Sequence, residues 1–381
     1  MSGSVASNRA DVLIVGAGVI GMAVAWKAAS AGLSVVVCDP DPGRAASWAA
    51  AGMLAPVTEA SLVEAPATAL RVASVRMWPE FAAGLRDESG IDVGFRDEGT
   101  LAIAFDDDDH RHLEELAQVH RLLELESEWL DARDCRALEP SLSPRIRGGL
   151  RVAGDWQVDN RALVTALIAA MASRGIDVRR CAVRALTGSE DRITGGELDD
   201  GSVVSSGAVV IAAGPWSSAI AGLPDVARPP VRPVKGDIIR VLGSADDPVL
   251  TRAIRAGVRG KDVYLVPRRN GEVVIGASVE EAGFSTAVRA GAVLELLQAA
   301  VAVVPEVAEL ELVETIARLR PASPDNLPIL GATPVPGLLL ATGHHRNGVL
   351  LTPITAQAVS EVLCGNELPA VAAPFTLDRF R

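Results

Sequence analysis

The chain has 381 residues, of which 49% are hydrophobic and 22% charged, the balance of an ordinary globular protein long enough for two domains with their own cores. A formal net charge of −12 argues against nucleic acid as a partner, because no basic cluster is present to neutralise phosphates. The cysteines show no CxxC spacing, so they indicate neither a disulfide framework nor a zinc site and fit a reducing cytoplasm: Cys38, Cys135, Cys181 and Cys364.

No segment has the pattern of a leader or a membrane span. The first ten residues lack the apolar run of a signal peptide. The most apolar helical segment, after Gly21, is short and carries Lys27. We therefore expect a cytoplasmic protein without a membrane partner.

The first motif is Asp11–Gly21, DVLIVGAGVIG. Its apolar, β-branched run Val12–Val15 predicts a strand buried on both faces of a parallel sheet. The segment after Gly21 spaces its apolar residues for a helix and stops at Gly32. The G-x-G-x-x-G pattern therefore lies on a strand-to-helix turn, which is the context of a dinucleotide-binding site.

Each glycine of this turn has its own predicted role. Gly16 allows the tight turn, Gly18 lets a pyrophosphate approach the backbone, and Gly21 lets helix and strand pack closely. The helix start then stabilises the phosphate charge. A second strand, Leu33–Cys38, ends at Asp39, whose carboxylate can accept hydrogen bonds from both ribose hydroxyls. The alternative, a glycine-rich turn of another α/β protein, is disfavoured because strand, helix and acidic residue are all in place.

The segment that follows, Ala46–Pro56, is composed mostly of small residues. Small side chains and Gly52 would let the backbone run close along a flat ligand, with amides available to phosphate or ring oxygens. An alanine-rich helix start is the alternative.

The middle of the chain predicts further elements. Met77–Gly90 has a helical pattern and Val93–Phe105 has strand-like runs, and four aspartates from Asp106 open a helix whose dipole they complement. His110 and His112 beside acids suggest a metal site, but further ligands are not clearly spaced, so we expect an exposed helix and no metal. After Pro229 come several strands and a helix over residues 286–302.

These motifs and six later ones resemble the glycine oxidases, including those of thiamine biosynthesis, within the D-amino-acid oxidase superfamily of flavoproteins. The motifs follow the order of that family along nearly the whole chain: GAGVIG, AASWAAAGMLAP, DWQVD from Asp155, VVIAAGPWS from Val209, YLVPR from Tyr264, VIGASVE from Val274, LRP from Leu319 with Pro324-Asp325, and GHHRNGVLL from Gly343. The resemblance implies an α/β fold with a discontinuous Rossmann-type FAD-binding domain (1–85, 145–225 and 320–381) and a mostly antiparallel-sheet substrate domain (86–144 and 226–319).

The resemblance also implies the cofactor and its contacts. The sarcosine oxidases of the same superfamily bind flavin through a cysteine near the Leu-Arg-Pro segment, which has none here, so we expect non-covalent FAD. Besides Gly16, Gly18, Gly21 and Asp39, the expected FAD contacts are Val19, Ile20, Pro40, Ala46, Ser47, Ala51, Gly52, Met53, Val183, Ala213, Gly214, Trp216, His344, His345, Arg346, Asn347, Gly348, Val349 and Leu350.

Arg320 is the strongest candidate for binding a substrate carboxylate. It lies between apolar neighbours, and its planar fork binds a carboxylate through two hydrogen bonds; a buried structural ion pair is the alternative. The resemblance assigns the substrate carboxylate to it and gives Tyr264, the only tyrosine, a second hydrogen bond to that carboxylate; packing in the core is the alternative. It also places Arg346 near the substrate and Met53 at the border of the pocket.

One departure from the family pattern concerns substrate size. Glycine oxidases usually carry Trp-Ala-Gly before Leu-Arg-Pro, whereas this chain has Ile316-Ala317-Arg318. If Arg318 points into the pocket, it favours an N-substituted glycine with a second carboxylate; if it points to solvent, it carries no such meaning. Asp262 and Val279 line the pocket by family position.

The sequence contains no Ser-His-Asp, Cys-His or paired-carboxylate constellation. An oxidase that removes hydride from a neutral amine needs none. The leading hypothesis is an FAD-dependent oxidase that converts glycine or an N-substituted glycine to an imine, with O₂ reduced to H₂O₂, and the resemblance implies a homo-oligomer. The alternatives are a D-amino-acid or sarcosine-type dehydrogenase that passes electrons to a carrier, an NAD-dependent dehydrogenase, and a non-catalytic flavoprotein or tRNA-modification module.

Overall fold

The computed structural model describes residues 8–258 and 260–381. Its strands are β1 Arg9–Val15, β2 Val35–Cys38, β3 Met53–Leu54, β4 Thr100–Ala104, β5 Glu128–Asp131, β6 Gly148–Val152, β7 Trp156–Gln157, β8 Asp177–Arg179, β9 Val183–Ser189, β10 Arg192–Leu198, β11 Val203–Ile211, β12 Arg232–Leu242, β13 Ala253–Val258, β14 Lys261–Pro267, β15 Glu272–Gly276, β16 Glu311–Ala322, β17 Ile329–Ala332 and β18 Leu338–Thr342. Its α-helices are α1 Val19–Ser30, α2 Ala46–Ala49, α3 Ala65–Ser89, α4 Asp107–Leu122, α5 Ala132–Leu138, α6 Asn160–Ser173, α7 Ala290–Val303 and α8 Thr352–Leu363.

The first sheet contains the dinucleotide motif. Its strand order is β17-β18-β11-β1-β2-β8, and β1 pairs in parallel with both β11 and β2. Residues of β1 alternate between two cores: Val12 and Ile14 pack towards helices α1, α3, α6 and α8, while Leu13 and Val15 pack on the side of β9 and β10. The expectation of a strand buried on both faces is confirmed, as is the α/β class.

The second sheet has the order β16-β12-β15-β14-β13-β4-β6-β5 and is antiparallel except for the β13–β4 pair. One of its faces is apolar and packs against α7, through side chains such as Ile239, Leu265 and Ile275. The residues between them along the same strands face the other way, because successive strand residues alternate. That second face forms the roof of the large cavity described below.

Several element predictions are confirmed with shifted ends. The first helix ends at Ser30, before Gly32, and the Asp106 side chain caps α4 by accepting from the N–H groups of Asp108 and Asp109. The predicted helix over Met77–Gly90 is the second half of the longer α3, which continues through Pro79. The region expected to be strand-like before Asp106 forms the short β4 and an isolated bridge between Arg96 and Gln157.

Within the described part of the chain, no three or more potential metal ligands cluster, and His110 pairs with Glu114 at 3.2 Å on an exposed helix face. All four cysteines are free. Among the same residues, no helix has both the length and the apolar character needed to cross a bilayer.

The proposed domain ranges and the sheets differ in two places. The strand β6, which lies within the range assigned to the FAD domain, pairs with β4 and β5 of the second sheet. The strand β16 passes without interruption through the boundary set after Leu319. It ends at Ala322, which forms an isolated bridge with His344 beside the first sheet. The physical reason is that long antiparallel pairing with β12 extends the strand beyond the motif on which the boundary was placed.

Candidate functional site

A cavity of about 830 Å³ lies between the dinucleotide turn and the roof sheet. Its lining extends from Gly16 and Asp39, at the carboxyl ends of β1 and β2, to Tyr264 and Arg320 on the roof. Crevices at the carboxyl ends of parallel strands are the usual ligand sites of such folds. We call the first-sheet side of this cavity the floor.

Two of the three glycines of the turn are required by a close approach of neighbouring backbone. Gly16 has φ of 105°, and a Cβ there would lie 2.5 Å from the Ala212 carbonyl oxygen. A Cβ on Gly21 would overlap the Gly16 carbonyl oxygen, so this residue is needed for helix–strand packing. Gly18 lines the cavity and is the N-cap of α1.

The start of α1 is suited to an anion. Its first turn contains no acidic residue, so the partial positive charge of the helix end is not neutralised from within the helix. The Ser47 hydroxyl accepts a hydrogen bond from Val19 N at 3.0 Å. This bond places the segment Ala46–Pro56, which we call the floor segment, against the helix start. The Asp39 carboxylate is oriented by two backbone donors, Ala17 N at 2.7 Å and Asp41 N at 2.8 Å.

Asn160, a residue not singled out from the sequence, holds the floor segment in place. Its amide donates to the carbonyls of Ser47 at 2.8 Å and Trp48 at 2.9 Å. Its oxygen accepts from two buried arginines, Arg240 at 3.1 Å and Arg268 at 3.2 Å. Burial lowers the pKa of Arg268 to about 10, so it remains charged at neutral pH.

The floor segment itself begins as the short helix α2 and then becomes extended in β3. The alternative of an alanine-rich helix start therefore holds for its first turn only. Gly52 has φ of 73°, and a Cβ there would overlap the Val158 carbonyl oxygen. The small residues of this segment therefore face the cavity, and Gly52 also allows its backbone to approach that of Val158.

Most expected FAD contacts line this one cavity. The two exceptions are Gly21, with its packing role, and Leu350, whose carbonyl accepts from Ser74 Oγ at 2.7 Å and Trp78 Nε1 at 3.0 Å. The expected contacts that do line it are Gly16, Gly18, Val19, Ile20, Asp39, Pro40, Ala46, Ser47, Ala51, Gly52, Met53, Val183, Ala213, Gly214, Trp216, His344, His345, Arg346, Asn347, Gly348 and Val349.

Two glycines of the roof make room for the substrate-binding candidates. A Cβ on Gly236 would overlap the guanidinium of Arg320, and a Cβ on Gly276 would overlap the Tyr264 hydroxyl. Tyr264 is directly opposite Gly276 across β14 and β15. Both long side chains therefore lie across bare backbone and converge on the middle of the roof. Sequence reasoning missed these glycines because their role depends on strand register.

Arg320 and Tyr264 can both donate hydrogen bonds to a carboxylate, since a guanidinium stays charged in proteins and the phenol keeps its proton. Burial lowers the pKa of Arg320, and the Tyr264 hydroxyl beside it opposes that shift. Burial raises the pKa of Tyr264, against the effect of Arg320, so the phenol remains a donor. Arg320 Nη1 donates to the Ser278 carbonyl at 3.1 Å, and no carboxylate within the described ranges forms an ion pair with it. The alternative of a structural ion pair is therefore not what the structure shows.

Arg346 lines the cavity as part of a charged group that sequence reasoning missed. Its Nε lies 3.1 Å from Glu59, and Arg255 Nη1 lies 3.2 Å from the same carboxylate. Burial raises the pKa of Glu59, but Arg346, Arg255 and Arg71 outweigh it and lower the pKa overall. Glu59 is thus ionised at neutral pH and offsets part of the positive charge beside the roof.

The two histidines of the GHHRNG loop are neutral. Burial lowers the pKa of His344 to about 3, and its Nε2 is 3.0 Å from Thr355 Oγ1. Burial, with Arg320 and Arg346 nearby, lowers the pKa of His345 to about 4. Neither imidazole is therefore a strong base at physiological pH.

Arg318 lines the cavity and is half-buried. Its Nε donates to the carbonyl of Arg44 at 3.1 Å, and its Nη1 donates to the carbonyl of Ala317 at 2.9 Å. Its head group therefore reaches from the roof to the floor. Asp262 and Val279 also line the cavity.

Residues 11–362 match the family model described as DAO, FAD dependent oxidoreductase. The chain belongs to this family. It is therefore an FAD-binding oxidoreductase, and the NAD-dependent alternative for the same motif is wrong.

Relatives with defined names cover nearly the whole chain. Glycine oxidase of Geobacillus kaustophilus is 33% identical over 98% of each chain, and a crystal structure of that enzyme matches with a TM-score of 0.89, covering 97% of this chain and 99% of that one. The bifunctional protein ThiO/ThiG of Trichormus variabilis is 32% identical over 97% of this chain, which spans only 55% of its length. Iminodiacetate oxidase of Chelativorans sp. BNC1 matches with a TM-score of 0.85 at 25% identity, covering 96% of this chain and 98% of that one.

The residues present fit the FAD that the family binds. The floor offers an unneutralised helix start for the phosphates and a carboxylate for the ribose. Gly214 has φ of 54° and no heavy atom within 4 Å of a would-be Cβ, so the chain leaves open space beside its backbone. Cys38 also lines the cavity, and burial raises the pKa of its thiol, so it is not a reactive thiolate.

Proposed function

We propose that the protein oxidises glycine or a small N-substituted glycine to the imine, with O₂ as the electron acceptor and H₂O₂ as the second product. The imine then hydrolyses to glyoxylate and ammonia or the released amine. The observation that carries this proposal is the convergence of Arg320 and Tyr264 over the cavity, where Arg320 has no protein carboxylate as a partner in the described residues.

In this proposal Arg320 and Tyr264 orient the substrate. The guanidinium binds the substrate carboxylate and the phenol donates a further hydrogen bond to it, which fixes the position of the α-carbon. Bound FAD supplies the hydride acceptor. Apolar and small residues such as Met53 and Ala277 border the same space and limit water.

The surrounding groups favour a neutral amine as the reacting form. Glu59 is engaged by two arginines, and the pKa of His345 is depressed to about 4, so neither group is suited to take a proton from an ammonium at neutral pH. We infer that turnover rises with pH as the substrate amine loses its proton.

The substrate class is supported by two relatives. One is named a glycine oxidase and the other an iminodiacetate oxidase, and both substrates contain a glycine unit, with a second carboxymethyl group on nitrogen in iminodiacetate. We propose non-covalent FAD, since the roof segment around Arg320 carries no cysteine. Acid precipitation tests this: flavin that remains in the protein pellet would contradict it.

The deciding experiment is anaerobic bleaching of the bound flavin by glycine, sarcosine and iminodiacetate. We expect at least one of them to bleach it, and oxygen consumption with peroxide formation to accompany aerobic turnover. Bleaching without oxygen consumption would replace the oxidase with a dehydrogenase that passes electrons to a carrier. No bleaching by any of the three would refute the proposed substrate class.

A further inference from the structure

The side chain of Arg318 reaches from the roof sheet to the loop that follows β2. Its strand, β16, belongs to the roof, and Gly236 is its partner on β12. The Nε of its guanidinium is hydrogen-bonded to the carbonyl of Arg44, in the floor. Its Nη1 donates to the Ala317 carbonyl of the roof strand at 2.9 Å, so the N–H groups of Nη2 remain for a ligand between roof and floor.

The floor backbone at this point adjoins the dinucleotide turn. Gly43 N, one residue before Arg44, donates to the Ala17 carbonyl at 2.8 Å. Three residues after Arg44, the Ser47 hydroxyl receives the Val19 N–H at the start of α1. Arg318 is therefore anchored to a segment held on both sides against the turn that receives a pyrophosphate.

The charges around Arg318 leave it available to an anion. Within the described ranges no carboxylate forms an ion pair with Arg318 or with Arg44, whose guanidinium lies 3.8 Å from the ring centre of Trp48. Arg320, two residues along the strand and about 7 Å away by strand geometry, has a different environment set by Tyr264, Arg346 and Asp237. The two roof arginines thus face two different parts of the cavity.

We propose that Arg318 binds the phosphate and ribityl portion of FAD and does not read a second carboxylate of the substrate. A guanidinium bound to a phosphate oxygen adds a charge-assisted hydrogen bond to the attraction of the helix start. In this role Arg318 ties the roof strand to the cofactor, so that the strand bearing Arg320 is positioned by FAD itself. This inference uses the FAD assignment of the family and is independent of the proposed substrate.

The test compares FAD release from purified holoenzymes carrying Arg318→Gln and Arg318→Lys. Dilution followed by recovery of free FAD fluorescence gives the dissociation constant without any turnover, so its outcome is separate from that of the proposed function. We expect Arg318→Gln to raise the constant about 10- to 100-fold, and Arg318→Lys to raise it less, because lysine keeps the charge but loses the fork. Added salt should weaken wild-type binding more steeply than that of Arg318→Gln.

Arg184→Gln is the matched control for net charge, since Arg184 is exposed and does not line the cavity. An FAD dissociation constant of Arg318→Gln within twofold of that control would overturn the proposal. A second overturning result is a selective rise in the KM of iminodiacetate over that of sarcosine in Arg318→Gln, since it would place a substrate carboxylate on Arg318. If Arg318→Gln does not fold, Arg318→Lys decides by the same two criteria.

Discussion

The floor and the roof of the cavity assemble their candidate binding groups in different ways. The floor uses groups that are close in sequence: the glycine turn, the start of α1 and Asp39 all lie within residues 16–39. The roof uses groups that only strand pairing brings together, since Gly236, Gly276 and Tyr264 meet Arg320 across four strands. A local motif therefore predicts the cofactor site directly, whereas the proposed substrate site depends on strand register.

The largest effect should come from removing the roof anchor. We expect Arg320→Ala to lose about 2–5 kcal/mol of transition-state stabilisation, because a buried charge-assisted contact is lost, while FAD stays bound. Steady-state kinetics measures the loss in kcat/KM, and the flavin spectrum of the same sample measures the bound FAD. Arg151→Ala, an exposed arginine on β6 of the same sheet, is the control and should change kcat/KM little. Unchanged kinetics in Arg320→Ala would remove Arg320 from the substrate site.

A change in the floor should instead weaken FAD binding and stability. Gly21→Ala places a Cβ against the Gly16 carbonyl oxygen, so we expect a loss of about 1–3 kcal/mol in the free energy of unfolding together with weaker FAD binding. Thermal unfolding and the ratio of flavin to protein report these two quantities. Gly291→Ala is matched, because it lies in α7 with no heavy atom within 4 Å, and should be neutral or slightly stabilising. Wild-type stability in Gly21→Ala would show that the turn tolerates a side chain.

A third prediction concerns pH and the border between the two regions. Burial raises the pKa of Asp155 to about 6, although its carboxylate accepts hydrogen bonds from Val57 N and Thr58. The folded protein therefore holds this proton more tightly than the unfolded chain, whose ordinary value is 3.8. The contribution of Asp155 to the free energy of unfolding should fall by roughly 2–3 kcal/mol as pH rises from about 4 through 6, so the difference in that free energy between wild type and Asp155→Asn should shift in favour of the variant by this amount. Denaturant unfolding across this range measures it, and parallel slopes for the two proteins would refute the shifted pKa.

How much of this site the sequence predicts depends on how far apart along the chain the interacting residues lie. The turn from Gly16 to Gly21 is predicted from residues alone, because the spacing of its glycines and its place between a strand and a helix are visible within one short stretch of sequence. Arg320 and Tyr264 are predicted from an unusual arginine, a single tyrosine and a family resemblance. Glu59 is not predicted from the sequence, because its partners Arg255 and Arg346 are 196 and 287 residues away and no local pattern marks it.

Asn160 shows the same limit in the floor. No sequence pattern links Asn160 to Ser47, so their contact is not predicted. Its partners Arg240 and Arg268 lie on β12 and after β14. The expected domain boundary after Leu319 also came from a motif, while the strand that contains it continues to Ala322. In each of these places tertiary pairing, and not local preference, decides the outcome.

The uninterrupted course of β16 has a consequence for how this protein can change. One rigid ribbon carries Arg318 and Arg320 and then bridges from Ala322 to His344, at the start of the loop that ends the cavity. A mutation that adapts the ribbon to a new substrate therefore also moves the groups around the flavin. Laboratory evolution of this enzyme for other amines should accordingly select compensating changes in the floor segment, and flavin occupancy should be the first trait to decline along the way.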